Sequence, residues 1–583
     1  MKNLIDTYLN HSSWDLKENS NFQYSYNSLR NYIASNTIKT YWLKKVFSKR
    51  ECERHISGDF HIHDLDNLCP YCIGWDTFTI LQDKDKSSLK TIENVLDTLL
   101  VFLKQMSYEW TGAQSLNGFD IALLPYIKTS GKFKEILFNQ IKRFFSCINS
   151  ETPLGKALFV NLGLKLYDKS LSKNEQKKLT ILNHTLFDVL LEGNEGFPYV
   201  FPLININIDK GFNWNSSVFN KIMKFSLKYG SPYFQNFLGM EFVEKNTVKI
   251  KNIFYRDPDD VLSMCCRLRL DLSVIKERQG IFNNSILTGS LSVVTINLPR
   301  IGYICHHEKS ELRIQKSLSR LKKVLTDACS VLDKRAALYN AFLEKDLFPY
   351  TKKILKRKYQ NHFNTIGIIG MNEFIRNLYH DTISYSSPEG IKIAKKILNY
   401  INDFLNKRTR ETGMLYNLEA TPAEGASYLL ALKDKKQFPK IKTTGNGKNI
   451  YYTNSTQLPA HFSEDIFSLV EHQSSLQMLY TGGSVFHIYI NPQNTSQDVC
   501  KQLLRKLIEN YPIPTFTLSP VFSICENGHN LRRETTKCPL CGKKAKVWTR
   551  VMGFYRPQEK FNIGKAQEHK ERYIYDFRTT KNN

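Results

Sequence analysis

Short strand-like runs recur along this chain, each separated from the next by a stretch with helical spacing. "FPLININI" at 201–208, "LSVVTINL" at 291–298, "FNTIGIIG" at 363–370 and "SVFHIYI" at 484–490 are rich in β-branched and aromatic residues and bounded by turn formers. Residues 90–108, 132–149, 311–346, 389–407 and 496–509 carry apolar residues at helical intervals; in 311–346, Leu318, Leu321, Leu325, Leu332 and Ala336 fall near one face. Strands alternating with helices predict an α/β core. No internal repeat interrupts the pattern. A Lys-rich stretch, "KDKKQFPKIKTTGNGKN" at 433–449, reads as a connection. A domain boundary is expected near residue 515, because the cysteines that follow are paired and close in sequence.

The 583 residues suffice for two to four domains or one large enzyme core with appendages. Hydrophobic content of 42% excludes global disorder. The net charge of +26 favours polyanions such as nucleic acid, nucleotides or a membrane surface. Runs such as "KKILKRK" at 352–358 read equally well as solvated faces, so charge alone selects no partner. The N-terminal residues lack a continuous apolar segment of signal-peptide length, and no run is long and apolar enough for a membrane span. A cytoplasmic location is therefore expected. In that compartment twelve cysteines point to metal, redox or radical chemistry rather than disulfides.

Near the end, "CENGHNLRRETTKCPLCG" sets Cys525 and His529 as C-x3-H and Cys538 and Cys541 as C-x2-C. Two close ligand pairs on tight turns suit tetrahedral zinc, and four protein ligands make such a site structural. Gly528 and Gly542 fit the turns. A C-x3-H pair is less common than C-x2-C, which leaves the fourth ligand open. A metal-free redox pair of Cys538 and Cys541 is the alternative.

"SMCCRLRLD" at 263–271 places Cys265 and Cys266 side by side, ahead of Arg267 and Arg269, whose charges favour thiolate. "GDFHIHDLDNLCPYCIGWD" at 58–76 holds His61, His63, Asp64, Cys69 and Cys72. This stretch reads as a second metal site, as polar groups closing a strand end, or as a Cys69–Cys72 dithiol. Cys147, Cys329 and Cys500 lie in helical apolar runs and read as core.

Taken in order, "GDFHIHDLD", "YCIGWD", "TGAQSLNGFD", "SMCCRLRLD", "GSLSVVTINLPR", "TIGIIGMNEF", "EATPAEGASY", "YYTNSTQLP", "YTGGSVFHI", the cysteine ribbon and "RVMGFYRPQEKFNIGK" resemble the anaerobic (class III) ribonucleoside-triphosphate reductases of the glycyl radical enzyme family. The resemblance implies a ten-stranded α/β barrel with a cysteine finger loop, a zinc ribbon and a glycyl radical loop. It divides the chain into an N-terminal helical extension (1–56), the catalytic barrel (57–515), the ribbon (516–545) and the radical loop with its tail (546–583).

It also implies roles. Gly553 matches the glycine that stores the radical. Cys266 matches the cysteine that becomes a thiyl radical and takes the ribose 3′-hydrogen; Met264 and Arg267 frame it rather than Cys265. Cys72 matches the second active-site cysteine, and Asn297 an asparagine that orients the ribose hydroxyls. Met264 and Asn297 resemble members that use formate as overall reductant. Thr421, Gly425, Ala426 and Ser427 are the choice for the triphosphate, if a helix starts there. The implied partners are ribonucleoside triphosphates, dNTP and ATP effectors, formate, a second copy of the chain, and a radical-SAM activase with a [4Fe-4S] cluster. No nucleic acid is implied as substrate. The core-like motifs begin near residue 57, so an N-terminal ATP-cone is not expected, and Cys525 with His529 departs from the commoner four-cysteine ribbon. Two other readings remain at this stage: a pyruvate formate-lyase-like acyltransferase, and a basic zinc-ribbon protein that binds nucleic acid.

Overall fold

The computed structural model describes residues 4–10, 24–82, 84, 87–238, 261–263, 269–271, 288–355, 358–463 and 465–577. Met264, Cys265 and Cys266 lie outside the described residues.

Ten strands form the body: β1 (Cys72–Asp76), β2 (Gln114–Asn117), β3 (Val160–Leu164), β4 (Leu203–Ile208), β5 (Tyr233–Asn236), β6 (Thr288–Asn297), β7 (Phe363–Ile369), β8 (Leu415–Glu419), β9 (Phe486–Ile490) and β10 (Thr515–Pro520). They are ordered β8-β7-β6-β1-β2-β3-β4-β5-β10-β9. β1 to β5 run parallel to one another. β6 to β8 form a second parallel set, as do β9 and β10. The sets meet antiparallel where β1 pairs with β6 and β5 with β10. A bridge between Glu419 and Gly483 links the remaining edges and brings the ends of the sheet together. An extra strand, Phe60–Ile62, runs antiparallel to β6.

Helices cover the outside because their apolar residues recur on one face. Thr91 caps the helix Ile92–Ser107 by accepting from the Asn94 amide, and the helix buries Val95, Leu96, Leu99, Leu103 and Met106. Each such side chain stabilises the fold by about 1.5–3 kcal/mol relative to exposure. Phe102 meets the edge of Trp75 at 4.9 Å, which places Ile73 and Trp75 on the helix side of β1 and Cys72 on the other. The 35-residue helix Ser310–Glu344 buries Leu321, Leu325, Leu332 and Ala336 as its spacing predicts. Cys329 and Cys500 are fully buried core residues, and Cys147 is partly buried against the core. Among the described residues, no helix is long and apolar enough to cross a membrane.

Two expectations shift. β10 completes the barrel, so the ribbon starts at Phe522 and not at 516. The Lys-rich stretch is no loose connection: its first residues end the helix Glu424–Gln437, and Thr444–Asn446 pairs with Asn449–Tyr451.

Candidate active site and metal centre

The ribbon and the candidate radical loop share one sheet. β11 (Phe522–Cys525) pairs with β12 (Asn530–Leu531) and with β13 (Ala545–Arg550), and β13 pairs with β14 (Tyr555–Pro557). Gly553 lies in the turn between β13 and β14.

Cys525 Sγ lies 3.7 Å from Cys541 Sγ, and Cys538 Sγ 3.6 Å from His529 Nδ1. All four ligand atoms fall within 4.8 Å of one another. Tetrahedral zinc with sulfur at about 2.3 Å puts two sulfurs about 3.8 Å apart, so this donor set fits zinc with His529 as the fourth ligand. Gly528 and Gly542 take left-handed φ values of +76° and +73°, and their amides turn back on Cys525 and Cys538. Four protein ligands leave no open position, which makes the centre structural.

The 58–76 stretch builds no second centre. Among the described residues, the only converging group of three or more metal-ligating side chains is the ribbon set. The His63 ring nitrogen meets the Thr295 hydroxyl at 2.8 Å, and His55 Nδ1 accepts from the Ile62 amide. Burial pushes His55 down to about 3 and His63 to about 4, so both rings are neutral. Cys69 and Cys72 are both free thiols, and burial pushes Cys69 up to about 11.

Gly553 is buried and held from three sides. Its carbonyl accepts from the Tyr233 hydroxyl and, at 3.5 Å, from Arg550. Its amide lies 3.5 Å from Glu424 Oε1. Arg550 is 1% exposed and spends its guanidinium on Ser519, Thr517, Tyr233 and the carbonyl of Gly230. Arg572, just past the helix Ile563–Glu571, donates to the carbonyls of Arg550 and Val551 and to Glu568. The loop is thus tied to the barrel on one side and to the tail on the other.

Tyr233 and Gln235 lie two apart on β5 and share a face. Gln235 donates to Ser263 Oγ at 2.5 Å. Asn117 of β2 grips the Ser263 backbone at both ends, donating to its carbonyl and accepting from its amide at 3.1 Å each. Val261–Ser263 pairs antiparallel with Arg269–Asp271, and Ser263 ties this pair to β2 and β5.

Cys72 is 1% exposed, and its sulfur accepts from the Ala113 amide at 3.1 Å. The residue paired across from it is Ser290, whose hydroxyl meets that of Thr365 at 2.8 Å. Further along, the Thr295 and Thr421 hydroxyls meet at 3.2 Å. A Cβ on Gly367 would lie 2.3 Å from Thr421 Oγ1, so glycine there lets Thr421 reach the sheet. These hydroxyls form a polar track from Cys72 to Thr421.

Asn297 does not join Cys72. It ends β6, caps the helix Leu298–Cys305 through the Arg300 amide, and donates to the Gly58 carbonyl and to Asp434, each at 2.8 Å. Its amide serves the fold. A helix does start in "EATPAEGASY", at Glu424, after Ala423 at φ 42°. Gly425 and Ala426 lie in its first turn, where amides have no partner within the helix. Ser427 is committed within it: its amide donates to Ala423 and its hydroxyl to the Glu424 carbonyl.

Sequence reasoning passed over Tyr233, Gln235, Ser290, Glu424 and Arg550. Only Arg550 carried a local signal, as an arginine three residues before the glycine.

The comparisons agree with this architecture. The family model described as anaerobic ribonucleoside-triphosphate reductase matches residues 18–575. The relative of that name in Haemophilus influenzae is 24% identical over 93% of this chain and 81% of its own. The one in Enterobacteria phage T4 is 22% identical over 92% of each chain. The crystal structure of the Thermotoga maritima anaerobic ribonucleotide reductase in complex with dATP and CTP superposes with a TM-score of 0.70 at 18% identity, covering 93% of this chain and 90% of that one. With the ten-stranded barrel, the four-ligand ribbon and the buried glycine turn in place, this chain belongs to the anaerobic ribonucleoside-triphosphate reductase family and is an oxidoreductase of ribonucleoside triphosphates.

Proposed function

We propose that Gly553 stores a glycyl radical and that Cys266 carries it to the substrate as a thiyl radical. A glycyl radical is stabilised by delocalisation into its two flanking amide groups, which a side chain would crowd out of plane. Hydrogen moves from the Cys266 thiol to the Gly553 radical, and the resulting thiyl takes the ribose 3′-hydrogen. Loss of the 2′-hydroxyl as water and return of hydrogen at C2′ and C3′ complete a two-electron reduction. Cys72 supplies reducing hydrogen, and formate, oxidised to carbon dioxide, supplies the two electrons overall. The observation that carries this reading is the pair on β5: Tyr233 holds Gly553, and Gln235 on the same face holds Ser263, three residues before Cys266.

Ser290 takes the ribose-orienting role expected of Asn297, because Ser290 lies across from Cys72 and the Asn297 amide is occupied. The triphosphate lies toward Thr421 and the amides of Gly425 and Ala426, with Ser427 supporting the turn and not contacting phosphate. Met264 contributes to substrate binding, as the resemblance implies. Zinc on Cys525, His529, Cys538 and Cys541 fixes β11 against β13 and so the placement of Gly553. A separate radical-SAM activase with a [4Fe-4S] cluster generates the radical, the chain works as a homodimer, and dNTP or ATP effectors set specificity.

The test is anaerobic activation followed by EPR. Wild type gives a glycine-centred doublet, and Gly553→Ala gives none. Cys266→Ser keeps the doublet and loses turnover. A doublet in Gly553→Ala, or normal turnover in Cys266→Ser, overturns the assignment of that residue.

A further inference from the structure

Outside the barrel interior, a groove of about 400 Å³ opens between the ribbon and the barrel wall. Phe197 and Phe201 from the barrel side and Trp548 of β13 supply its aromatic lining. Lys544, Lys546, Arg556 and Lys560 stand around it, with Glu526 and Glu559 as the opposing charges. Glu559 is already paired with Lys546 at 2.6 Å. Arg556 is 7% exposed, with its guanidinium 4.4 Å from the Phe554 ring centre and 5.8 Å from that of Phe201. Burial pushes Arg556 down to about 10. A cation depressed in this way gains from an arriving anion.

An aromatic and apolar lining with cations among it, in a volume within the usual range for small-molecule pockets, matches one chemical class. An aromatic ring enters the slot, and a chain of phosphates meets the lysines and Arg556. A compact, concave shape favours such a molecule over an extended acidic peptide. We propose that this groove is a nucleoside triphosphate site, separate from the Cys72–Thr421 track. The groove lies beside the strand pair that leads to the radical loop: Arg556 pairs in register with Thr549, the neighbouring pair is Arg550 with Tyr555, and Arg550 reaches the Gly553 carbonyl.

Photolabelling of the full-length protein with 8-azido-ATP, followed by peptide mapping, tests the site. Label is expected in the segment 544–560. The double variant Lys544→Glu/Lys560→Glu changes two exposed side chains outside the active site. It should reduce labelling of that segment by roughly tenfold through lost phosphate contacts. Turnover at saturating substrate and labelling elsewhere on the chain should be unchanged. Phe197→Ser, in the barrel-side lining, should give the same local loss. Inorganic tripolyphosphate should compete at least about tenfold more weakly than ATP, because it lacks the ring. Absence of label from 544–560, equal labelling in both variants, or competition by tripolyphosphate as strong as by ATP overturns the proposal. The last of these outcomes would reduce the groove to a charged patch.

Discussion

The Tyr233 hydroxyl donates to the carbonyl of Gly553, joining the fifth barrel strand to a turn of the zinc-ribbon sheet. Two residues on, Gln235 performs the same service for Ser263. One rigid strand therefore sets the spacing between the glycine and the segment that leads to Cys265 and Cys266.

Replacing Tyr233 by Phe keeps the ring and removes the donor. The Gly553 carbonyl then keeps only the 3.5 Å contact from Arg550. Losing a buried hydrogen bond costs about 1–3 kcal/mol. The glycyl EPR signal of Tyr233→Phe should form in lower yield and decay faster than in wild type, with little change in the melting of the barrel.

On the proposed reading, Ser290 contacts the substrate and Asn297 holds the scaffold. Ser290→Ala should keep the EPR signal and lower kcat/KM by about ten- to a hundredfold, as loss of one substrate hydrogen bond does. Asn297→Ala should lower the melting temperature, because it removes a helix cap worth about 1 kcal/mol and strips Asp434 of a donor. Steady-state kinetics alongside thermal melts would distinguish them. A Ser290→Ala enzyme with unchanged kcat/KM would return the ribose role to another residue.

Metal analysis should find about one zinc per chain, given one closed four-ligand centre among the described residues. Chelation, or Cys538→Ser, should abolish radical formation at temperatures where the barrel remains folded. The reason is that β11 and β13 carry the ligand turns at one end and the Gly553 turn at the other. Simultaneous loss of zinc, radical and all barrel structure would contradict a role confined to this sheet.

The tail responds to acid through Glu568. Burial alone would raise its carboxyl, but Lys565 and Arg572 outweigh burial and hold it below the usual value of 4.5. Its contribution to stability is therefore complete above that unfolded value and lost as pH falls through the lower folded one. Proteolytic release of the tail should accelerate below about pH 4.5 in wild type, the range in which an unfolded glutamate takes up its proton. Glu568→Gln should release the tail readily at neutral pH, with a flatter pH profile.

Local pattern carried the elements far. The expected strand "FNTIGIIG" became Phe363–Ile369, and the helix expected at 132–149 became Gly131–Asn149. The ribbon ligands were legible because both pairs are near neighbours in sequence. The contacts of the site were not, since Tyr233 meets Gly553, and Ser290 meets Cys72, only through pairings between distant strands. Asn297 shows the same limit. Its motif marks the strand end correctly, but only the fold reveals that Gly58 and Asp434 take its amide. The boundary near 515 cut through β10 because the change in cysteine spacing begins only after that strand ends.

β5 and β10 meet through the pairing of Gln235 with Thr515. The β5 edge of the first parallel set thus leaves the ribosome bare and waits for most of the remaining chain before it is covered. Glycine turn, ribbon and tail emerge later still. Pairing at such long range favours slow folding and edge-to-edge association, and a nascent chain stalled before residue 515 would expose a strand edge for chaperones to shield.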